Sequence, residues 1–233
     1  MKVLHITSRA DFGGGPEHLY LQLLEQDKIP DLECFIACPY DFPYFERFAQ
    51  VVGIDNLRSI PHRSFHIGSF FNLLIFIRHK GINIVHSHGK GAGIYGRLLK
   101  VFFRGSCIHT FHGLHIDEYN SVQRYVYLTI EKVLSRFTEK VICVSVGERD
   151  QIIGNRIVKN SKTEVIFNGV MVPIFRERGS KKKKLEVLAV NRFDEQKNPE
   201  LLVDIARRIK ASALRDQINI VVIGEGRKYK WCK

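Results

Sequence analysis

Short apolar runs punctuate the chain at regular intervals: Val3–Thr7, Glu33–Cys38, Ile82–His86, Cys107–His112, Lys140–Val144 and Thr163–Phe167. Each is strand-length and mostly apolar, and segments with a helical repeat, roughly 10–18 residues long, lie between them. Strands alternating with helices predict βαβ units around a parallel sheet. The runs are nearly continuous in apolar residues, as strands covered by helices on both faces should be. The first helix carries its own start signal. Pro16 follows Gly13, Gly14 and Gly15, Glu17 suits the positive helix end, and Leu19, Leu23 and Leu24 supply an apolar face, which predicts a helix over about 16–28.

After Asn168-Gly169 the pattern changes. Val172-Pro173 leads into a basic stretch ending at Lys184, with Gly179-Ser180 and a run of lysines, the composition of an exposed linker over 173–184. This bounds a first domain at 1–172. Beyond it a second βαβ unit over 185–233 is predicted from a strand at Leu185–Asn191, a helix from Asn198-Pro199-Glu200 to about Ala213 with Asn198 as its cap, and a strand at Ile218–Ile223. No element pattern follows Gly224-Glu225-Gly226. With two clear strands this second domain reads as incomplete, and a domain this small buries little surface against its chain entropy.

Charge changes the picture only at the end of the chain. The net charge is +12, and residues 176–233 carry 16 Lys and Arg against 8 Asp and Glu, while residues 1–175 carry 20 against 16. Such an excess suits diphosphates, anionic lipid or nucleic acid without choosing among them. The aromatics sit in apolar runs and no nucleic-acid module is recognisable, which argues against nucleic acid. The five cysteines are scattered, mostly in strand-like runs, so we expect buried thiols and a reducing, cytoplasmic setting. No uncharged run approaches the roughly 20 residues of a membrane span. Lys90, Arg97 and Arg104 recur at a seven-residue spacing on one predicted helix near Phe102-Phe103, which is either a solvated face or a basic stripe for a membrane surface.

Candidate chemistry gathers at strand ends. Gly13, Gly14 and Gly15 lie where a strand meets a helix N-terminus, the ligand position of open α/β sheets. His18 stands where a dinucleotide fingerprint would need another glycine, and a tight turn with positive φ is the alternative reading. His112 ends the predicted strand Cys107–His112 beside Gly113, and His86 and His88 are placed similarly; for each, a structural hydrogen-bonded role competes with a site role. Arg192 and Lys197 flank the start of the Asn198-Pro199 helix, as would suit a leaving diphosphate, although a solvated turn has the same spacing. No Asp-x-Asp pair occurs to hold a metal-bound diphosphate. Glu25-Gln26-Asp27 and Glu148-Arg149-Asp150 come closest and read as surface or capping residues.

Together these segments resemble the group 1 or family 4 glycosyltransferases. The resemblance is carried by Phe12–His18, Ile84–Gly89, Thr110–Gly113, Val141–Ser145, Val165–Val170, Val190–Phe193 with Lys197, and Val222–Gly226. It implies an α/β protein of the GT-B type: a complete N-terminal Rossmann-like domain with a parallel sheet on the acceptor side, and an incomplete C-terminal Rossmann-like domain that binds the donor. It further implies sugar transfer from a nucleoside-diphosphate sugar to a saccharide or lipid-linked acceptor, with retention and without a metal or other cofactor. Gly13, Gly14 and Gly15 match the loop near the donor phosphates. His112 matches the histidine near the transferred sugar, and Glu17 and His88 join it in positioning sugar or acceptor. Arg192 and Lys197 match the pair that holds the diphosphate, with His112 completing the catalytic set.

The family's later pair of glutamates has no counterpart here. A truncated or frame-shifted reading is therefore expected, and the alternative function is a remnant or subunit that binds acceptor or a partner chain. The expected setting is surface polysaccharide biosynthesis in the cytoplasm, with peripheral contact at the membrane and no nucleic acid.

Overall fold

A computed structural model describes residues 1–114, 116, 119–172 and 184–228. They divide into two compact units, the first ending at Val172. The predicted linker over 173–184 lies outside the described residues except for Lys184.

The first unit runs β1 (Lys2–Thr7), α1 (Gly14–Gln26), β2 (Glu33–Cys38), α2 (Tyr44–Val52), β3 (Leu57–Ser59), α3 (Ile67–Lys80), β4 (Ile84–His88), α4 (Gly89–Leu99), β5 (Ser106–Thr110), α5 (Ser121–Leu134), β6 (Lys140–Cys143), α6 (Val146–Gly154) and β7 (Thr163–Val165). Its strands form one parallel sheet in the order β3-β2-β1-β4-β5-β6-β7. The order turns back between β1 and β4, and this switch point opens the crevice where such sheets bind ligands.

Alternation along the strands gives each face its own core. Leu4, Ile6, Phe35, Ala37 and Val85 pack with α3 and α4, while Ile36, Cys38 and Leu57 pack with α1 and α2. Phe111, Val141, Cys143 and Ile152 form a third cluster under α6. Helix α4 lies hard against the sheet. A Cβ on Gly93 would come within 2.7 Å of His109 and one on Gly96 within 2.8 Å of Ser87, so side chains there would push the helix away.

Arg97 corrects the basic-stripe reading. It is 1% exposed, and its guanidinium grips the buried Glu131 carboxylate at 2.6 Å. Lys90 turns to the Tyr119 and Tyr127 rings. The seven-residue spacing marks a face, but for Arg97 that face points inward. Among the described residues no helix is long and apolar enough to cross a membrane.

The second unit holds β8 (Leu185–Val190), α7 (Pro199–Lys210) and β9 (Ile218–Ile223), with β8 and β9 paired in parallel. Asn198 takes the cap position of α7 in a left-handed conformation, φ 45°, but its side chain makes no capping hydrogen bond. The side-chain cap in this segment lies one turn earlier, where Asp194 accepts from the Lys197 backbone N–H at 3.2 Å.

Candidate functional site

The strand register brings the histidines together. His5 of β1 lies opposite His86 of β4, and His88 lies two residues further along the same face. His18 of α1 and His112, just past β5, close around them, with His18 and His112 ring centroids 5.2 Å apart and His88 and His112 stacked at 5.6 Å. The links are polar as well: His5 Nδ1 to His88 Nε2 is 3.1 Å, His88 Nδ1 to His112 Nε2 is 3.3 Å, and His86 Nε2 meets Thr110 Oγ1 at 2.8 Å. β4 extends to His88, so His86 and His88 sit within the strand rather than after it. β5 stops at Thr110, leaving His112 outside the ladder.

His112 adopts φ 57° and Gly113 φ 100°. The left-handed region is costly for a residue with a side chain, of order 1 kcal/mol or more, and needs outside support. Glu148 supplies it. Its buried carboxylate accepts from the Gly113 backbone N–H with one oxygen and from the Val144 N–H, at 2.7 Å, with the other. The carboxylate thereby ties the His112 bend to the end of β6. Glu148 is thus a buried clasp, which corrects its surface or capping reading; Ser145 caps α6 in its place, accepting from Glu148 N at 3.0 Å.

Burial sets the charge of the cluster. Desolvation pulls the pKa of His5 and of His112 down to about 4, with the nearby His18 adding to it, and it holds His86 and His88 well below the ordinary imidazole value. At neutral pH these rings are uncharged, each with one N–H and one lone pair. His5, His86 and His88 each bring a ring nitrogen within 4.8 Å of the others, and Asp11, Asp41 and His62 do the same with their side chains. Either group has donors a metal could use, but in the first the rings are spent on one another, Gln26 and Thr110. In the second Asp11 is paired with Arg9 and Asp41 with His62.

A cavity of about 430 Å³ opens beside His88 and His112, lined also by Thr7, Ser8, Arg9, Gly15, Pro16, Arg63, Gly89, Lys90 and Gly91. The N-termini of α1 and α4 both reach it, and their positive dipole ends add to the cationic residues Arg63, Arg9, which is held by Asp11, and Lys90, which bonds Tyr119. The lining described here contains no carboxylate. Gly13 is extended, φ 167°, and none of Gly13, Gly14 and Gly15 lies in the left-handed region, so the tight-turn reading fails. A Cβ on Gly14 or Gly15 would meet nothing within 4 Å, which leaves these amides open to approach. On the other flank of the cluster a cavity of about 650 Å³ is lined by His18, His86, Thr110, Ile142, Ile166 and Phe167 among others.

The remaining expected residues lie elsewhere. Glu17 accepts a hydrogen bond from Tyr44 and faces Arg47 at 3.7 Å, so its carboxylate is turned toward α2 and away from the cavity lining. Arg192 and Lys197 belong to the second unit, where both are exposed and Arg192 pairs with Asp194 at 3.3 Å. Sequence reasoning passed over Arg9 and Arg63 as ligand-facing groups. Neither sits in a motif, and Arg63 reaches the cavity because its backbone N–H bonds Ser8 O.

The chain matches known proteins along its length. Residues 13–172 match the model described as Glycosyltransferase Family 4, and residues 172–233 match Glycosyl transferases group 1. The O-antigen biosynthesis glycosyltransferase WbnH of Escherichia coli is 25% identical over 165 residues, covering 71% of this chain and 46% of that protein. A UDP-Gal:alpha-D-GlcNAc-diphosphoundecaprenol alpha-1,3-galactosyltransferase of the same organism is 27% identical over 171 residues, 68% of this chain and 44% of its own. The chain therefore spans about half the length of these curated relatives. Among solved structures, Anabaena Alr3699/HepE in complex with UDP-glucose superposes with a TM-score of 0.70 at 16% identity, over 97% of this chain and 61% of that one. The apo form of the lipopolysaccharide outer core galactosyltransferase WaaB gives 0.68 at 17%, over 100% and 63%. At these identities the structures establish the α/β GT-B fold. Because the family 4 match spans most of its residues, the chain belongs to glycosyltransferase family 4.

Proposed function

We propose that this protein transfers a sugar from a nucleoside-diphosphate sugar to a saccharide or lipid-linked acceptor during surface polysaccharide assembly, with retention and without a metal. The observation that carries the reading is the cavity at the switch point, where two helix N-termini and the residues Arg9, Arg63 and Lys90 line the space beside an uncharged pair of histidines. Fixed dipoles and cations suit a phosphate-bearing substrate, and neutral imidazoles suit sugar hydroxyls. In this reading His112, His88 and Gly13 to Gly15 orient the sugar, and Arg192 and Lys197 stabilise the departing diphosphate. In this reading transfer uses no protein nucleophile. The relatives' names support donor and acceptor class: one specifies a UDP-galactose donor and a diphosphoundecaprenol-linked acceptor, another O-antigen biosynthesis, and a fold neighbour was solved with UDP-glucose.

Peripheral membrane contact belongs to the same proposal. Ile67, Phe71 and Ile75 form an exposed apolar row on α3, Phe102 is exposed after α4, and Arg78 and Arg104 are exposed near them.

The test is calorimetric titration of the 233-residue protein with UDP, GDP and their sugars, followed by product analysis with lipid-linked acceptors. Binding of one nucleotide family that weakens at least tenfold in Arg192→Ala, with a retained anomeric product, supports the reading. A folded protein that binds none of these ligands and forms no product sinks it.

A further inference from the structure

The buried histidines form a single file that begins at a glutamine. Gln26 Oε1 lies 2.9 Å from His5 Nε2, His5 Nδ1 3.1 Å from His88 Nε2, and His88 Nδ1 3.3 Å from His112 Nε2. A neutral imidazole has one donor and one acceptor nitrogen, so in a file of neutral rings the first link dictates every later one. That first link depends on how the Gln26 amide is turned.

A second neighbour favours one direction. The Cys34 thiol lies 3.5 Å from the same Gln26 oxygen. Burial and nearby carboxylates push that thiol's pKa up to about 11, so it keeps its proton, and its sulfur accepts only weakly. A donor at that place wants the carbonyl oxygen of the amide, not its NH₂. Oε1 then accepts from Cys34 S–H and from His5 Nε2–H. His5 Nδ1 is left to accept from His88 Nε2–H, and His88 Nδ1 to accept from His112 Nε2–H.

We propose that Gln26 is a positioning residue that sets the tautomer of His112, keeping its proton on Nε2 and leaving Nδ1 as a lone-pair acceptor. A sugar hydroxyl meeting His112 then donates to the ring. With the amide reversed, all three rings would carry their protons on Nδ1 and His112 would present N–H instead. The role toward a sugar rests on the glycosyltransferase reading above, whereas the tautomer does not.

The experiment is two-bond ¹H–¹⁵N correlation spectroscopy of the full chain labelled with ¹⁵N-histidine, at pH 7.5, with resonances assigned through the backbone. The expected result is the Nε2–H pattern for His5, His88 and His112. Gln26→Glu keeps it, since a carboxylate still accepts, while Gln26→Lys, which only donates, moves all three to Nδ1–H. In a transfer assay Gln26→Lys lowers kcat about tenfold or more and Gln26→Glu restores most of it. A wild-type His112 protonated on Nδ1, a mixture of tautomers, or a bound metal shifting these nitrogens overturns the proposal. So does a folded Gln26→Lys protein with His112 unchanged; should that variant not fold, the wild-type spectrum alone decides. Loss of the transfer reading with the tautomer pattern intact would leave the inference about the file standing.

Discussion

The two units are built from the same kind of strand and end up in opposite surroundings. β1 and β2 place Leu4, Ile6, Phe35 and Ile36 wholly inside, whereas β8 and β9, equally apolar, leave Leu188 60% and Val190 72% exposed. A continuous apolar run predicts a strand covered on both faces, and in the first unit helices on each side supply that cover. Among the described residues of the second unit only α7 is present to cover two strands. The difference teaches that strand identity is written locally, while burial is conferred by neighbours. The buried core strands and the histidine cluster accordingly belong to the first unit.

The widest contrast should come from truncating matched core positions. Phe35→Ala is expected to cost about 4 kcal/mol by urea denaturation, through lost transfer energy and a cavity, while Leu188→Ala stays within about 0.5 kcal/mol. Equal losses would mean that the second unit is as well packed as the first.

Acid sharpens the comparison, because every histidine lies at or before His115 and the second unit has none. His5 and His112 stay uncharged in the folded chain down to about pH 4 but take up a proton near 6.5 when unfolded. The unfolded chain thus binds more protons between those values. Stability is full above about pH 6.5 and declines as the pH falls toward 4, by about 3 kcal/mol for one such ring. Melting curves from pH 8 to 4.5 check this, and a first-unit transition indifferent to pH would contradict the burial of the cluster.

A smaller effect separates the two carboxyl contacts. Glu148→Gln removes one of two buried acceptors and should cost about 1–2 kcal/mol, loosening the His112 bend, while Asp194→Asn at the exposed turn before α7 should change stability by less than about 0.5 kcal/mol. Urea midpoints measure both.

Most of the fold was legible because its strands are apolar runs of ordinary length, and the boundaries agree to within a few residues. β3 escaped notice, being three residues with Arg58 in the middle and held by its pairing with β2. Position along the strands put His88 and His112 at the sheet's carboxyl end, where both line the cavity. What it could not find depends on distant partners. Glu148 beside Arg149 and Asp150 has the look of a surface acid until Gly113 donates to it, and Arg97 has the look of a surface cation until Glu131 is opposite. Arg9 and Arg63 carry no pattern, since a cavity wall is assembled from loops whose approach no local signal records.

The sheet order also sets a timetable for the growing chain. β1 can pair with β2 as soon as Cys38 is made, but its other neighbour, β4, arrives only with His88, after the whole of α2, β3 and α3. Until then the inner edge of β1, His5 included, is an open strand on a nascent polypeptide, and the long closure to β4 is a slow kind of contact to form. The central pairing of the molecule is thus the one closed over the longest stretch of chain. That edge is open to pairing with another chain for the time it takes to synthesise half of the first unit.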